Sequence, residues 1–462
     1  MGESYAMNYV SITPAQRKDM LDAIGVDSVD VLFDAIPASS RFDGALDLPP
    51  AASELELQRE LDELAGLNRG ASSLACFMGG GVYDHFVPTF IDQMISRGEF
   101  LTAYTPYQAE ASQGSLQAFY EFQTQVARLT GLDIANASLY EGATAVAEAA
   151  LLALNSTGKR RVLAAGTLHP DTLRVLRTYL NDLPVTLVEL PVSSDGVIDP
   201  SVIREHADDD TACIIVQSPN VFGLVESWST CFDAMKECTT KGATPLGVAV
   251  FNPIACALLK DPGACGADIA AGEGQPLGIP MQLGGPYLGL FAAKKEFLRK
   301  MPGRLVGETK DSEGRRAFSL VLQTREQHIR GAKATSNICT NQGLLALRAT
   351  MHMSAMGPAG IRTVAEQCWH KAHDLAKRID AIPGFALRYS GAFFNEFVVA
   401  CPKPAREIID AAKADGVLAG VELSHDRMGR IGEANELLIA VTEKRTKAEM
   451  DQLVASLKKH GG

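Results

Sequence analysis

Between Gly142 and Lys300 the chain alternates helical patterns with short apolar runs, and those runs are continuous rather than alternating. They cover Arg161 to Ala165, Val185 to Leu190, Ala212 to Val216, Leu246 to Phe251, Ala267 to Ala271 and Tyr287 to Ala293. A strand that is apolar on both faces has to be covered on both, so the pattern predicts a mostly parallel sheet flanked by helices. The helices are expected over Thr144 to Leu154, Pro170 to Leu180 and Cys231 to Thr240. Ligands of such open sheets bind beyond the strands' carboxyl ends, where the loops after Phe251 and Ala271 should fall.

The loop after Ala271 belongs to the stretch GADIAAGEGQPLGIPMQLGGPYLGL, from Gly266 to Leu290. Gly272, Gly274, Gly278, Gly284 and Gly285 let main chain come close to a ligand or a neighbouring strand. Glu273 and Gln275 carry the hydrogen-bonding heads before Pro280, with no Lys, His, Cys or Ser among them. Gly272-x-Gly274 followed by Gly278 hints at a dinucleotide fingerprint, but Pro276 and Pro280 would interrupt the helix that receives the pyrophosphate. A ligand-facing loop and a tight connection between two buried strands both fit.

Other polar candidates lie outside the sheet pattern. Gly79, Gly80 and Gly81 precede Tyr83, Asp84 and His85, and Pro88 starts a helix. Tyr104, Thr105, Tyr107, Gln108 and Glu110 form a segment that can stack and hydrogen-bond, leading a helix from Ser112 to Leu129 with a buried stripe at Leu116, Phe119, Phe122, Val126 and Leu129. Such a segment suits a binding rim, or a surface turn with packed tyrosines. After a polar bridge from Gly303 to Arg316, Arg325, His328, Arg330 and Lys333 stand before Thr335, Ser336 and Asn337, a set that can receive a phosphate or carboxylate or form a charged surface turn.

An amphipathic helix capped by Ser53 is expected to Leu64, with Leu57, Leu61 and Leu64 on one face. It cannot fold alone and should lie on the body or on a second subunit. Long helices are expected over Asn341 to Met356 and Ile361 to Asp380, where His370 and His373 lack a third ligand for a metal. Strands over Phe385 to Tyr389, Glu396 to Ala400 and Glu436 to Thr442, with helices over Ala405 to Ala414 and Lys447 to Lys458, make a smaller α/β domain. The expected divisions are an N-terminal arm with helices (1–100), a large domain (101–340) and linking helices with a small C-terminal domain (341–462).

A formal net charge of −12 opposes a polyphosphate or anionic-membrane surface. The nine cysteines are irregularly spaced with no C-x-x-C pair, which speaks for reduced thiols rather than a zinc ribbon or disulfide framework. With no bilayer-length apolar run and no signal-peptide pattern at the start, a cytoplasmic location is expected.

Four stretches carry a resemblance: YTPYQAE at Tyr104 to Glu110, NASLYEGATAVAEA at Asn136 to Ala149, GEGQPLGIP at Gly272 to Pro280 and LQTREQHIRGAKATSNICT at Leu322 to Thr340. In this order they closely resemble the alpha, or N-terminal, subunit of the two-part P-protein, the glycine dehydrogenase (decarboxylating) of the glycine cleavage system. The resemblance implies the aspartate-aminotransferase-like fold of pyridoxal phosphate (PLP) enzymes, fold type I. It implies that the chain works with a beta subunit to decarboxylate glycine and pass the aminomethyl group to the lipoyl arm of H-protein.

Enzymes of this fold hold PLP through a Schiff-base Lys and an Asp at the pyridinium nitrogen. The beta subunit's H-K-T-F-x-I-P pattern, laid on this chain, puts Gln275 in the lysine's place with Gly274, Pro276 and Leu277 beside it; Asn252 takes the place of the Asp. By resemblance, then, this is a degenerate copy whose beta partner carries the PLP. Tyr104, Tyr107 and Glu110, with His85 near them, are expected to reach the partner's site or the lipoyl channel. Thr335 and Ser336 are candidates for its phosphate side, and Arg325 and Lys333 for charge complementarity. The alternatives are a self-sufficient PLP enzyme using Lys260, Lys294 or Lys333, and a non-catalytic scaffold or H-protein docking module.

Overall fold

The computed structural model describes residues 11–42, 44, 46–102, 104–282 and 284–461. The chain divides into two compact units, one ending at Asn68 and the other beginning at Arg69. In the first, α1 (Pro14–Ile24) and α2 (Glu54–Gly66) both start with reciprocal side-chain caps. Ser53 caps α2 as its sequence predicts, and Glu56 returns a bond to the Ser53 amide at 2.9 Å. Leu57, Leu61 and Leu64 on α2 are each about half exposed.

In the second unit, α3 (Gln113–Thr130) buries Leu116, Phe119, Phe122 and Val126 along one stripe. The central sheet contains β1 (Ile134–Ala135), β2 (Arg161–Ala165), β3 (Thr186–Leu190), β4 (Thr211–Ser218), β5 (Leu246–Phe251), β6 (Ile269–Glu273) and β7 (Gly289–Ala293). Their order is β1-β7-β6-β5-β4-β2-β3. Strands β2 to β6 pair in parallel, while β7 and β1 extend the sheet antiparallel at one edge. Helices α4 (Gly142–Thr157), α5 (Pro170–Leu180) and α6 (Trp228–Glu237) connect or cover these strands, and their apolar faces join the sheet in one core. The continuous apolar runs of β2, β4, β5, β6 and β7 thus have the cause inferred for them, since both faces are buried; the run at β3 is an edge strand on which Thr186 and Glu189 are exposed.

The stretch expected to be a polar bridge is instead an antiparallel hairpin of β8 (Leu305–Lys310) and β9 (Arg316–Val321). Its polarity belongs to the tip, where the Asp311 carboxylate accepts the amides of Glu313 and Arg315, each at 2.9 Å. Phe318 and Leu320 alternate inward on β9, and this period of two is masked by the charged residues around it.

The long helical run α7 (Gly343–Asp380) is interrupted at Gly357, whose φ of 59° and ψ of 178° are not helical, with Pro358 next. It therefore consists of the two helices expected from the sequence. Ala346, Ala349 and Met353 of the first belong to the large core; Ala372, Leu375 and Ile379 of the second belong to the small one. The small domain holds an antiparallel sheet of β10 (Ala386–Leu387), β11 (Glu396–Ala400), β12 (Val421–Glu422) and β13 (Glu436–Ala440), in the order β10-β11-β13-β12. Helices α8 (Ala405–Ala414) and α9 (Lys447–Gly461) bury Ile408, Leu453 and Leu457 against it. Ala75–Cys76 pairs with Val417–Leu418, and Phe77 accepts the Ala440 amide at 2.9 Å, which fixes the glycine-rich 79–81 segment beside this sheet. No helix of the described residues is long and apolar enough to cross a membrane.

Leu163 lies on the interior strand β2 and is fully buried. Leu163→Ala should lower stability by about 2–5 kcal/mol, the range for deleting a buried Leu side chain. The check is the thermal midpoint, and an unchanged midpoint would contradict burial on both faces.

Candidate functional site

At the carboxyl ends of β4, β5 and β6 lies a cavity of about 260 Å³, bounded by Gln217, Asn252, Gly272 and Glu273, by the start of α4 and by the 80–83 segment. Strand β5 stops at Phe251 because the next residue, Asn252, turns the chain: its Oδ1 accepts the amides of Ile254 at 2.9 Å and Ala255 at 3.2 Å. Gly272 keeps β6 close to β5, since a Cβ there would meet the Phe251 carbonyl oxygen at 2.5 Å. The glycine loop is therefore both of the things its sequence allows, a tight connection between buried strands and a wall of a cavity.

Its polar side chains are turned to the protein's own main chain. Gln275 is almost fully buried and pairs with Tyr83 as a strand would: its Oε1 accepts the Tyr83 amide at 3.0 Å, and its Nε2 donates to the Tyr83 carbonyl at 3.0 Å. Nε2 also donates to the Ile279 carbonyl at 2.8 Å. Glu273 Oε2 accepts the Gly142 amide at 2.9 Å, while Oε1 accepts those of Gln275 at 2.9 Å and Leu288 at 3.0 Å. Across the cavity Glu396, buried on β11, accepts the Gly80 amide at 2.7 Å and the Tyr83 hydroxyl at 2.9 Å. Burial pushes both carboxyls up to about 7 against the opposite pull of these donors.

The 104–110 rim meets the 324–340 segment through a residue the sequence did not single out. Arg304 is almost fully buried and donates to the Tyr107 hydroxyl at 3.2 Å, the Cys339 carbonyl at 3.0 Å and Thr340 Oγ1 at 2.8 Å. Its Nε lies 3.6 Å from buried Glu326, and the Tyr107 and His328 rings meet edge-on at 5.7 Å. Tyr104 and Tyr107 are otherwise exposed, as is Glu110. Thr335 and Ser336 are half-buried, and Lys333 is exposed. Arg325 is buried, its guanidinium directed to the carbonyls of Met301, Gly303 and Leu322, so its charge holds the loop's main chain rather than facing outward.

His85 stands apart from this rim. It is buried, and its Nδ1 lies 2.7 Å from Glu443 Oε2, while the Phe86 amide donates to Oε1 at 2.7 Å. Burial opposes ionisation of Glu443, but the hydrogen bond and charge of His85 outweigh it and hold the carboxyl down at about 2. Cys368 joins the pair, its Sγ 3.4 Å from Oε2. Three of the functional residues named here had only faint sequence signals: Glu273 as a polar head in a glycine loop, Glu396 as an acid opening an apolar strand, and Arg304 after a glycine at a strand start.

A mostly parallel sheet, a small antiparallel domain and a cavity at the strands' carboxyl ends are the architecture of PLP-dependent enzymes of fold type I. A C-DES mutant with glycine covalently linked to its PLP cofactor matches it with a TM-score of 0.60, covering 87% of this chain and 99% of its own, at 15% identity, a likeness of fold alone. The chain belongs to the glycine cleavage system P-protein family, whose model matches residues 7–457. It is 48% identical over 447 residues to the probable glycine dehydrogenase (decarboxylating) subunit 1 of Thermomicrobium roseum, spanning 96% of this chain and 98% of that one. The crystal structure of a glycine decarboxylase (P-protein) of the glycine cleavage system, in inhibitor-bound form, matches 98% of this chain and 100% of its own, with 41% identity and a TM-score of 0.87.

The cavity's residues do not fit covalently held PLP. No lysine lines it, Asn252 offers a neutral amide where a ring nitrogen would need a carboxylate, and the foremost amide of α4 already holds Glu273. Lys294 lies at the opposite end of the sheet, paired with Asp268 just before β6.

A carboxyl raised by folding stabilises the fold most below its ordinary value, about 4.3, and loses that contribution as pH rises through the raised value. Buried His352, pushed down to about 4, acts in the opposite direction over part of the range, so a difference between variants is the readout. Glu396→Gln should become progressively more stable relative to the parent chain as pH is raised from about 5 to about 8. Thermal midpoints of both proteins across that interval provide the check; a constant difference would contradict a raised Glu396.

Proposed function

We propose that this chain is the non-anchoring alpha subunit of a two-part glycine decarboxylase. A lysine-bearing beta partner holds PLP, and this chain completes the partner's site from the 104–110 rim. The complex decarboxylates glycine and passes the aminomethyl group to the lipoyl group of H-protein. The observation that carries the reading is Gln275: where an anchoring lysine belongs, the side chain is an amide engaged with the main chain of Tyr83 and Ile279. PLP, when bound by the partner, supplies the electron sink of the reaction.

This chain's contribution is positional and electrostatic. Tyr107, steadied by Arg304, and the neighbouring Tyr104 offer phenol groups at the rim; Glu110 offers a carboxylate that can hold or move a proton. Thr335 and Ser336 stand on the phosphate side with Lys333 supplying charge, while Arg325 and His85 act from behind by holding loops. The leucine face of α2 suits cover by the body or by a second chain. The same face also favours a second reading, a scaffold that stabilises the beta subunit or docks H-protein without joining the chemistry.

Two measurements test these readings. Borohydride trapping and absorption spectroscopy on the isolated chain should give no PLP adduct and no aldimine band; a trapped adduct would return the anchoring role to this chain. In the reconstituted complex, Tyr107→Phe and Glu110→Gln should each lower turnover by about ten-fold or more, the scale for a positioned polar or acid-base group, with assembly unchanged. Parental turnover in both variants would favour the scaffold.

A further inference from the structure

We propose that Glu273 is an intramolecular anion ligand, occupying the anion-binding start of α4 and thereby closing this chain's cavity to phosphate and phosphomonoesters. The inference rests on the non-anchoring reading and deepens it. Absence of a lysine removes the covalent attachment of a cofactor but leaves open whether its phosphate could still bind. Glu273 supplies a second, independent barrier.

Three main-chain N–H groups from three separate parts of the chain converge on this one carboxylate. Gly142 comes from the first turn of the sixteen-residue α4, Gln275 from the turn after β6, and Leu288 from the approach to β7. Amides converging in this way at a helix start form an anion site, because the donors point at one spot and the helix dipole favours negative charge there. Gly142 permits the approach: a Cβ on it would lie 3.0 Å from both the nitrogen and the Cβ of Glu273. A second carboxylate, Glu141, takes the third amide of the helix, that of Thr144, at 2.9 Å, with Ala143 between them on the cavity wall. An incoming phosphate would thus meet two carboxylates that already hold the first and third amides of the helix. The cavity beyond, lined also by Glu396 and Asp171, offers no lysine or arginine to offset that charge.

The site is a cradle with a built-in occupant, so removing the occupant should uncover it. Glu273→Ala frees three amides and the volume of the side chain, whereas Glu273→Gln keeps an oxygen-bearing group of the same length in place. Inorganic phosphate titrated into the full-length chain at about pH 8, above the raised value of Glu273, and followed by calorimetry and phosphorus NMR line broadening, should show no saturable binding to the parent chain or to Glu273→Gln. Glu273→Ala should bind at least about ten-fold more tightly than either, an effect of the size expected for vacating charge-assisted hydrogen bonds. Circular dichroism and thermal midpoint establish that the variant is folded; if it is not, Glu273→Ser, which retains an acceptor for the Gln275 amide, takes its place.

Saturable phosphate binding by the parent chain, or a folded Ala or Ser variant that binds no more phosphate than Glu273→Gln, overturns the proposal. The two readings fail separately. A PLP adduct trapped on the parent chain removes the non-anchoring function, whereas a phosphate-blind Glu273→Ala removes the cradle and leaves that function intact.

Discussion

Burial of β2, β4, β5 and β6 on both faces is the constraint from which the rest of the molecule follows. A strand with no solvent-facing side can hold few polar side chains, so polar groups collect where the main chain leaves the sheet, at the carboxyl ends of β4, β5 and β6. In this chain those groups face the backbone. Asn252 turns the strand end, Gln275 pairs with Tyr83, Glu273 collects three amides and Glu396 holds Gly80 and Tyr83. These bonds fasten the glycine-rich 79–83 segment, which lies between the large sheet and the small domain.

The rim is organised by a different force. Arg304 is a charge buried behind the two stretches that show most of the sequence resemblance, and its donors are shared between them. A buried guanidinium requires partners on most of its N–H groups, so the Tyr107 hydroxyl, the Cys339 carbonyl and the Thr340 hydroxyl are held in one arrangement or the ion is left poorly solvated. The exposed phenol is thereby positioned from behind, with the guanidinium carbon 5.5 Å over its ring.

How much of this was legible depended on whether a signal is local. Pro170–Leu180, Leu246–Phe251, Glu396–Ala400 and Ala405–Ala414 begin and end where the sequence places them, because prolines or changes in hydropathy mark their ends. The two-residue strand Ala75–Cys76 exists only because Val417–Leu418 lies beside it, and no window of sequence contains that pairing. The hairpin of β8 and β9 was hidden by its charged tip. Positions 252 and 275 could be singled out because a motif fixes them, but the Gln275–Tyr83 pairing joins residues far apart in the chain and needed the fold. Glu273 was visible as an oddity, a carboxylate in an otherwise bare loop, and its three donors were not.

Gly357 bears on how the two cores are joined. The helical run that connects them would transmit bending and twisting as a stiff rod if it were continuous over its thirty-eight residues. With a non-helical glycine followed by a residue that has no amide to donate, the first helix ends inside the large core, and the second starts there with Ile361, Ala365 and Cys368 before entering the small core with Ala372, Leu375 and Ile379. The change of axis at Gly357 thus falls within the large core, and the second helix carries one unbroken hydrogen-bond ladder from the large core into the small one.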